Sequence, residues 1–132
     1  MLPIEETKEE FPVSFTYDML EDVNREVNQY EYETEVGDDW TPIGLSVDGE
    51  DDCDSYATEK AERLIKLGCP RSSMRIAHCL RNGEGHLVLL VNYQGQTWDL
   101  DNCYPYPMRV QDLVGYKWIS FWHLDTGKLE LA

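Results

Sequence analysis

A chain of 132 residues is the size of one ordinary domain, and 42% hydrophobic with 11% aromatic content suffices for a packed core rather than a disordered segment. The formal net charge of −15 is concentrated at Glu5–Glu10 and Asp48–Asp54, and it repels phosphates, which argues against nucleic acid and anionic membrane as partners. It suits a basic partner, a bound cation, or solubility alone.

Residues 1–12 read as an acidic N-terminal arm, and 13–132 as a single domain. Thr16 is placed to cap a helix over about Tyr17–Tyr30, in which Met19, Leu20, Val23, Val27 and Tyr30 form one apolar stripe. Residues 31–51 are irregular, with Trp40, Pro42, Gly44 and Gly49. A second helix is expected from Asp51 or Asp52, either of which can accept from the free N–H groups of the first turn. Its stripe is Tyr56, Ala57, Ala61, Leu64 and Ile65, Gly68 fits just past its end, and Pro70 forbids continuation. The periodicity then changes. Met74–Arg81 reads as a strand, Gly85–Tyr93 as a strongly apolar central strand, and Gln96–Asp101 as its return across a Gln94-Gly95 turn. Tyr116–Leu124 and Lys128–Leu131 are late strands, Trp118, Phe121 and Trp122 helping to close the core. The predicted class is α+β, with N-terminal helices packed on a mostly antiparallel sheet.

The cysteines, Cys53, Cys69, Cys79 and Cys103, form no CxxC pair, so a zinc knuckle or thioredoxin-type motif is not indicated, and a chain with this much apolar content needs no disulfide staples. Cys53 falls in the first turn of the second helix. There the dipole and the unpaired N–H groups favour the thiolate, and the same N–H groups can stabilise an oxyanion. His86 opens the central strand behind Gly83-Glu84-Gly85. With Gln94-Gly95 as a two-residue turn, paired residue numbers sum to 189, so Val88 faces Asp101 and Leu90 faces Asp99. His86, Val88, Leu90, Asp99 and Asp101 then share one face. Asp101 is the diagonal neighbour of His86, about 7–8 Å away by Cα and within carboxylate–imidazole reach, and Asp99 lies a step too far. A one-residue slip would turn Asp101 to the other face. The three residues match a familiar division of labour: a thiol nucleophile, an imidazole base and a carboxylate that fixes the base's tautomer.

Asp51-Asp52-Cys53-Asp54-Ser55-Tyr56-Ala57, with Leu67-Gly68-Cys69-Pro70 beyond it, resembles the nucleophile helix of the bacterial transglutaminase-like cysteine proteinases. Gly85-His86-Leu87-Val88-Leu89 resembles that family's histidine strand, and Leu100-Asp101-Asn102 its aspartate segment. Val23–Asn28 and Trp40 resemble the approach to the site. The resemblance runs over about Leu20–Asn102 and implies a papain-like, transglutaminase-like core. Carried over residue by residue, it implies a Cys53–His86–Asp101 triad that hydrolyses a peptide bond of a protein substrate through an acyl-enzyme. The chain departs from the family in being short, in placing Asp48-Gly49-Glu50-Asp51-Asp52 where glycines often precede the nucleophile, and in showing no basic and apolar leader before Glu5. A cytoplasmic or phage-encoded enzyme is therefore expected, or a periplasmic one if a leader has been removed.

Glu50, Asp51, Asp52 and Asp54 crowd Cys53, and like charges disfavour a thiolate unless a cation reverses the local field. Calcium takes clustered carboxylate and carbonyl oxygens, and the family resemblance implies calcium dependence through such residues. On that reading Asp52 and Asp54, with Glu50, are the ligands. On the other, Asp51 or Asp52 caps the helix and the rest are solvated. The chemistry itself requires no cofactor. Trp40 is a candidate for lining the substrate groove or for packing. Cys103, just past the aspartate strand, is a candidate for lying near the site, with packing the expected role. His78 and His123 are alternative bases without supporting context, Asp125 lying near His123. Acyl transfer to an amine, as in a transglutaminase, and a non-catalytic structural or binding role such as a phage virion component, are the competing functions.

Overall fold

The computed structural model describes residues 11–29 and 51–132, with side chains of the second stretch described from residue 55 on. Most of the acidic arm, the irregular segment around Trp40, and Glu50 lie outside the described residues, as do the side chains of Asp52, Cys53 and Asp54.

Among the described residues, two helices precede a six-stranded sheet, an α+β arrangement. Helix α1 spans Tyr17–Asn28 and buries Leu20, Val23, Asn24 and Val27. Thr16 occupies its N-cap position but makes no side-chain capping bond. Helix α2 spans Asp51–Lys66, the start expected from sequence. Cys53 stands in its first turn, as anticipated. The C-terminus of α2 closes as a Schellman motif. The Gly68 N–H donates to Ile65 O at 3.0 Å and the Cys69 N–H to Leu64 O at 2.9 Å. Gly68 has φ +102°, a left-handed conformation that glycine adopts without strain.

The strands are β1 Met74–Arg81, β2 Glu84–Tyr93, β3 Gln96–Leu100, β4 Met108–Arg109, β5 Tyr116–His123 and β6 Leu129–Leu131. All neighbours are antiparallel, in the order β4-β3-β2-β1-β5-β6. The chain thus builds outward from β1–β2–β3, then crosses back to lay β5 against β1. Ala57, Ala61 and Leu64 of α2 and Leu20, Val23 and Val27 of α1 meet Met74, Ile76, Leu87, Leu89, Val91 and Leu100 in the main core. A smaller cluster of Ala77, Val88, Leu90 and Phe121 fills another part of the sheet, with Val110 and Trp118 packed on it. Both hairpins at the centre use two-residue turns with positive φ at each position: Asn82 (+52°) and Gly83 (+85°), then Gln94 (+51°) and Gly95 (+77°). These mirror-image turns match the right-handed twist of the strands.

Candidate active site

The β2–β3 register follows directly from the second turn. Tyr93 pairs with Gln96, Leu90 with Asp99 and Leu89 with Leu100, the arithmetic expected from sequence. The ladder ends at Leu100, and the chain turns so that Asp101 stands just beyond it. His86 Nε2 and Asp101 Oδ1 meet at 2.8 Å, with both residues buried. An ionised carboxylate only accepts, so Nε2 carries the proton and the second ring nitrogen, Nδ1, keeps its lone pair.

Asp101 has more donors than the histidine. The Cys103 N–H donates to Oδ1 at 2.9 Å, and the Tyr116 hydroxyl donates to Oδ2. Tyr116 opens β5, and its ring stands edge-on to His86 with 6.1 Å between centroids. Helix α1 holds the same turn from outside. Asn28 Nδ2 donates to the Asp101 carbonyl at 3.0 Å and to the Tyr104 carbonyl at 3.0 Å, and Asn24 Nδ2 donates to Tyr104 O at 3.1 Å. Burial by itself would raise the Asp101 pKa. The bonds and charge from His86, with the Tyr116 and Cys103 donors, outweigh it and hold the carboxyl well below the usual range. Tyr116 is pushed the other way, by burial and then by the Asp101 carboxylate, so its hydroxyl stays protonated.

Asp99 is buried behind this pair. Neither of its carboxyl oxygens has a hydrogen-bond partner among the described residues, and burial followed by the Asp101 charge raises its pKa well above the ordinary carboxylate range. Asp101 is therefore the carboxylate on the imidazole, and Asp99 is not.

One participant was not foreseen, and for another the less favoured alternative holds. Cys103 does not pack: it is exposed, and its Sγ lies 3.8 Å from His86 Nε2. Tyr116 was read only as the start of a strand. No spacing rule could link it to Asp101, because β1 and β2 lie between their strands in the sheet. Of the alternative bases, His123 bonds Glu130 at 2.7 Å and not Asp125. His78 stands mid-strand in β1 opposite Leu87. Cys53 lies in the first turn of α2 by backbone, while its thiol, the carboxylates of Asp52 and Asp54, Glu50 and Trp40 fall outside the described side chains. No described helix is long and apolar enough to cross a membrane.

Comparison with known proteins shows the family and the fold. The family model described as bacterial transglutaminase-like cysteine proteinase matches residues 5–123. The chain is similar in structure to LapG of Legionella pneumophila, with a TM-score of 0.69 and 25% identity, over 90% of this chain and 71% of that one. It is similar to the calcium-bound form of that protein at a TM-score of 0.68 and 24% identity, covering 87% and 68% of the two chains. For the EGTA-treated form the TM-score is 0.67 at 24% identity, covering 87% and 66%. A search of curated proteins finds no match.

Proposed function

The chain belongs to the bacterial transglutaminase-like cysteine proteinase family, and from that premise we propose that it cleaves a protein substrate with Cys53 as nucleophile, His86 as base and Asp101 as the residue that orients the base. The observation that carries this reading is the buried His86–Asp101 bond of 2.8 Å, made on one face of the β2–β3 hairpin. It fixes the proton on Nε2 and offers Nδ1 to take the thiol proton. Cys53 supplies the thiol from the first turn of α2, where the helix's free N–H groups and dipole favour the thiolate. The thiolate attacks the scissile carbonyl, the free N–H groups of that turn hold the oxyanion, and the imidazolium returns its proton to the leaving amine. Water then clears the acyl-enzyme with His86 again as base. Calcium is part of the reading. Held by Asp52, Asp54 and Glu50, it would offset the negative charge around the thiol. The acidic run supports it, as do calcium-bound and EGTA-treated forms of a similar protein.

The decisive experiment is alkylation of the intact chain by iodoacetamide across pH, with and without calcium, read by mass. Cys53 is expected to label first near neutral pH, and His86→Ala to slow it by roughly 10²–10⁴-fold, the range of a general base. Cys53 labelling at the rate of the buried cysteines, unchanged in His86→Ala with or without calcium, would refute the assignment.

A further inference from the structure

Cys103 has no part in the mechanism above, yet it stands at its centre. His86 Nε2, a carboxylate oxygen of Asp101 and Cys103 Sγ all lie within 4.8 Å of one another. The first two belong to buried residues and the third to an exposed one, so the cluster opens to solvent on the thiol side. We propose that these three side chains form a binding site for a zinc-class divalent ion that switches the peptidase off. That the ion inhibits rests on His86 being the base; that it binds does not.

The distances fit such an ion. A tetrahedral zinc with a sulfur at about 2.3 Å and nitrogen or oxygen at about 2.0–2.2 Å separates its ligand atoms by roughly 3.3–3.6 Å. The observed separations straddle this: 2.8 Å from Nε2 to Oδ1 and 3.8 Å from Sγ to Nε2. Small side-chain rotations close the difference. The donor set of thiolate, imidazole and carboxylate suits zinc and is a poor match to calcium or magnesium, which take oxygen. Three protein ligands leave a fourth position for water on the exposed side. The calcium proposed at the acidic turn of α2 and the ion proposed here are thus separated by ligand chemistry.

Binding has a proton balance that explains the inhibition. The ion needs the Nε2 lone pair, so the Nε2 proton moves to Nδ1, and the Cys103 thiol releases its proton to solvent. The hydrogen bond to Asp101 is replaced by metal coordination. The ring is then held in the opposite tautomer, with Nδ1 protonated and unable to accept from Cys53.

The test titrates zinc into the full chain without substrate, by calorimetry, for wild type, Cys103→Ser and Cys53→Ser. Cobalt absorption reports directly whether a thiolate coordinates. Wild type and Cys53→Ser are expected to bind one ion alike and to show the cobalt–thiolate band. Cys103→Ser should lose the band and bind at least about 100-fold more weakly, since even an outer partner of a metal ligand is worth roughly 10–100-fold. In hydrolysis, the ratio of rates with and without zinc should fall steeply for wild type and stay near one for Cys103→Ser. Equal binding by wild type and Cys103→Ser, no tight binding by wild type, or loss confined to Cys53→Ser would overturn the proposal. Failure of the peptidase reading would look different: Cys53→Ser would hydrolyse like wild type while Cys103→Ser still lost the ion.

Discussion

Three donors converge on the Asp101 carboxylate: the His86 imidazole, the Cys103 amide and the Tyr116 hydroxyl. Together they fix the carboxylate's orientation and hence the imidazole's. Asp101→Asn keeps the shape but offers an amide where an acceptor is needed. We expect hydrolysis to fall by roughly 10²–10⁴-fold with the fold retained, measured as kcat beside circular dichroism. Tyr116→Phe removes a single bond to a charged acceptor, worth about 1.5–3 kcal/mol, so a loss near 10–100-fold is the upper range. A rate equal to wild type would mean that Tyr116 only packs. The two aspartates also separate by pH. The Asp101 pKa is lowered on folding, so its contribution to stability is present above the unfolded carboxylate value of about 3.9 and is lost as pH falls below it. The Asp99 pKa is raised, so the folded state holds its proton more tightly and stability falls as pH rises from about 4 toward the folded value. Asp99→Asn removes that slope. In urea denaturation its stability relative to wild type should improve as pH rises above about 4, and a flat difference would contradict the buried carboxyl.

At the scale of elements, the ends of α2 and of the hairpins set the site. Gly68 closes α2 with φ +102°, and a Cβ there would meet Pro12 Cγ at 2.6 Å. Gly95 has φ +77° with nothing within 4 Å of an added Cβ. Gly95→Ala should therefore cost only the left-handed backbone penalty of about 1–2 kcal/mol. Gly68→Ala should cost more, because the segment at Pro12 must also move. Thermal melts of the two variants test the order. These elements also show what a sequence can and cannot reveal. The β2–β3 register was legible because a two-residue turn fixes pairing by parity, and from it came the His86–Asp101 contact and the rejection of Asp99. The Asn82-Gly83 turn carried an equally strong hairpin signal, an Asn-Gly pair, that went unread. The strand Met108–Arg109 is too short to leave a periodicity. The placement of β5 beside β1 depends on competition among whole strands for one sheet edge, which no local pattern encodes. Tyr116 was invisible for that reason. Cys103 was misjudged because a turn following a strand gives no sign of which side chain faces back.

For the whole molecule the governing quantity is charge. A chain at −15 crowds carboxylates around the first turn of α2, and the proposed calcium site turns that repulsion into a requirement. EGTA is expected to slow both hydrolysis and Cys53 alkylation, and calcium to restore them. Calcium at 100 times its dissociation constant should add about 2.7 kcal/mol of stability by mass action. Asp54→Asn should need more calcium for the same midpoint. Sodium chloride at matched ionic strength should stabilise the chain in part without restoring the rate, since screening does not place a cation beside the thiol.

The asparagine clasp of α1 has a consequence for when the chain becomes active. Asn24 and Asn28 reach forward to the turn at Asp101–Tyr104, and Tyr116 reaches it from the far side of two strands. On the proposed assignment, a nascent chain carries Cys53 and His86 before it carries Asp101 and Tyr116, the groups that orient the imidazole. A ribosome stalled before residue 101 releases a fragment with reactive groups and no working arrangement of them. On that assignment the site is complete only when α1 and β5 have both docked on the same turn.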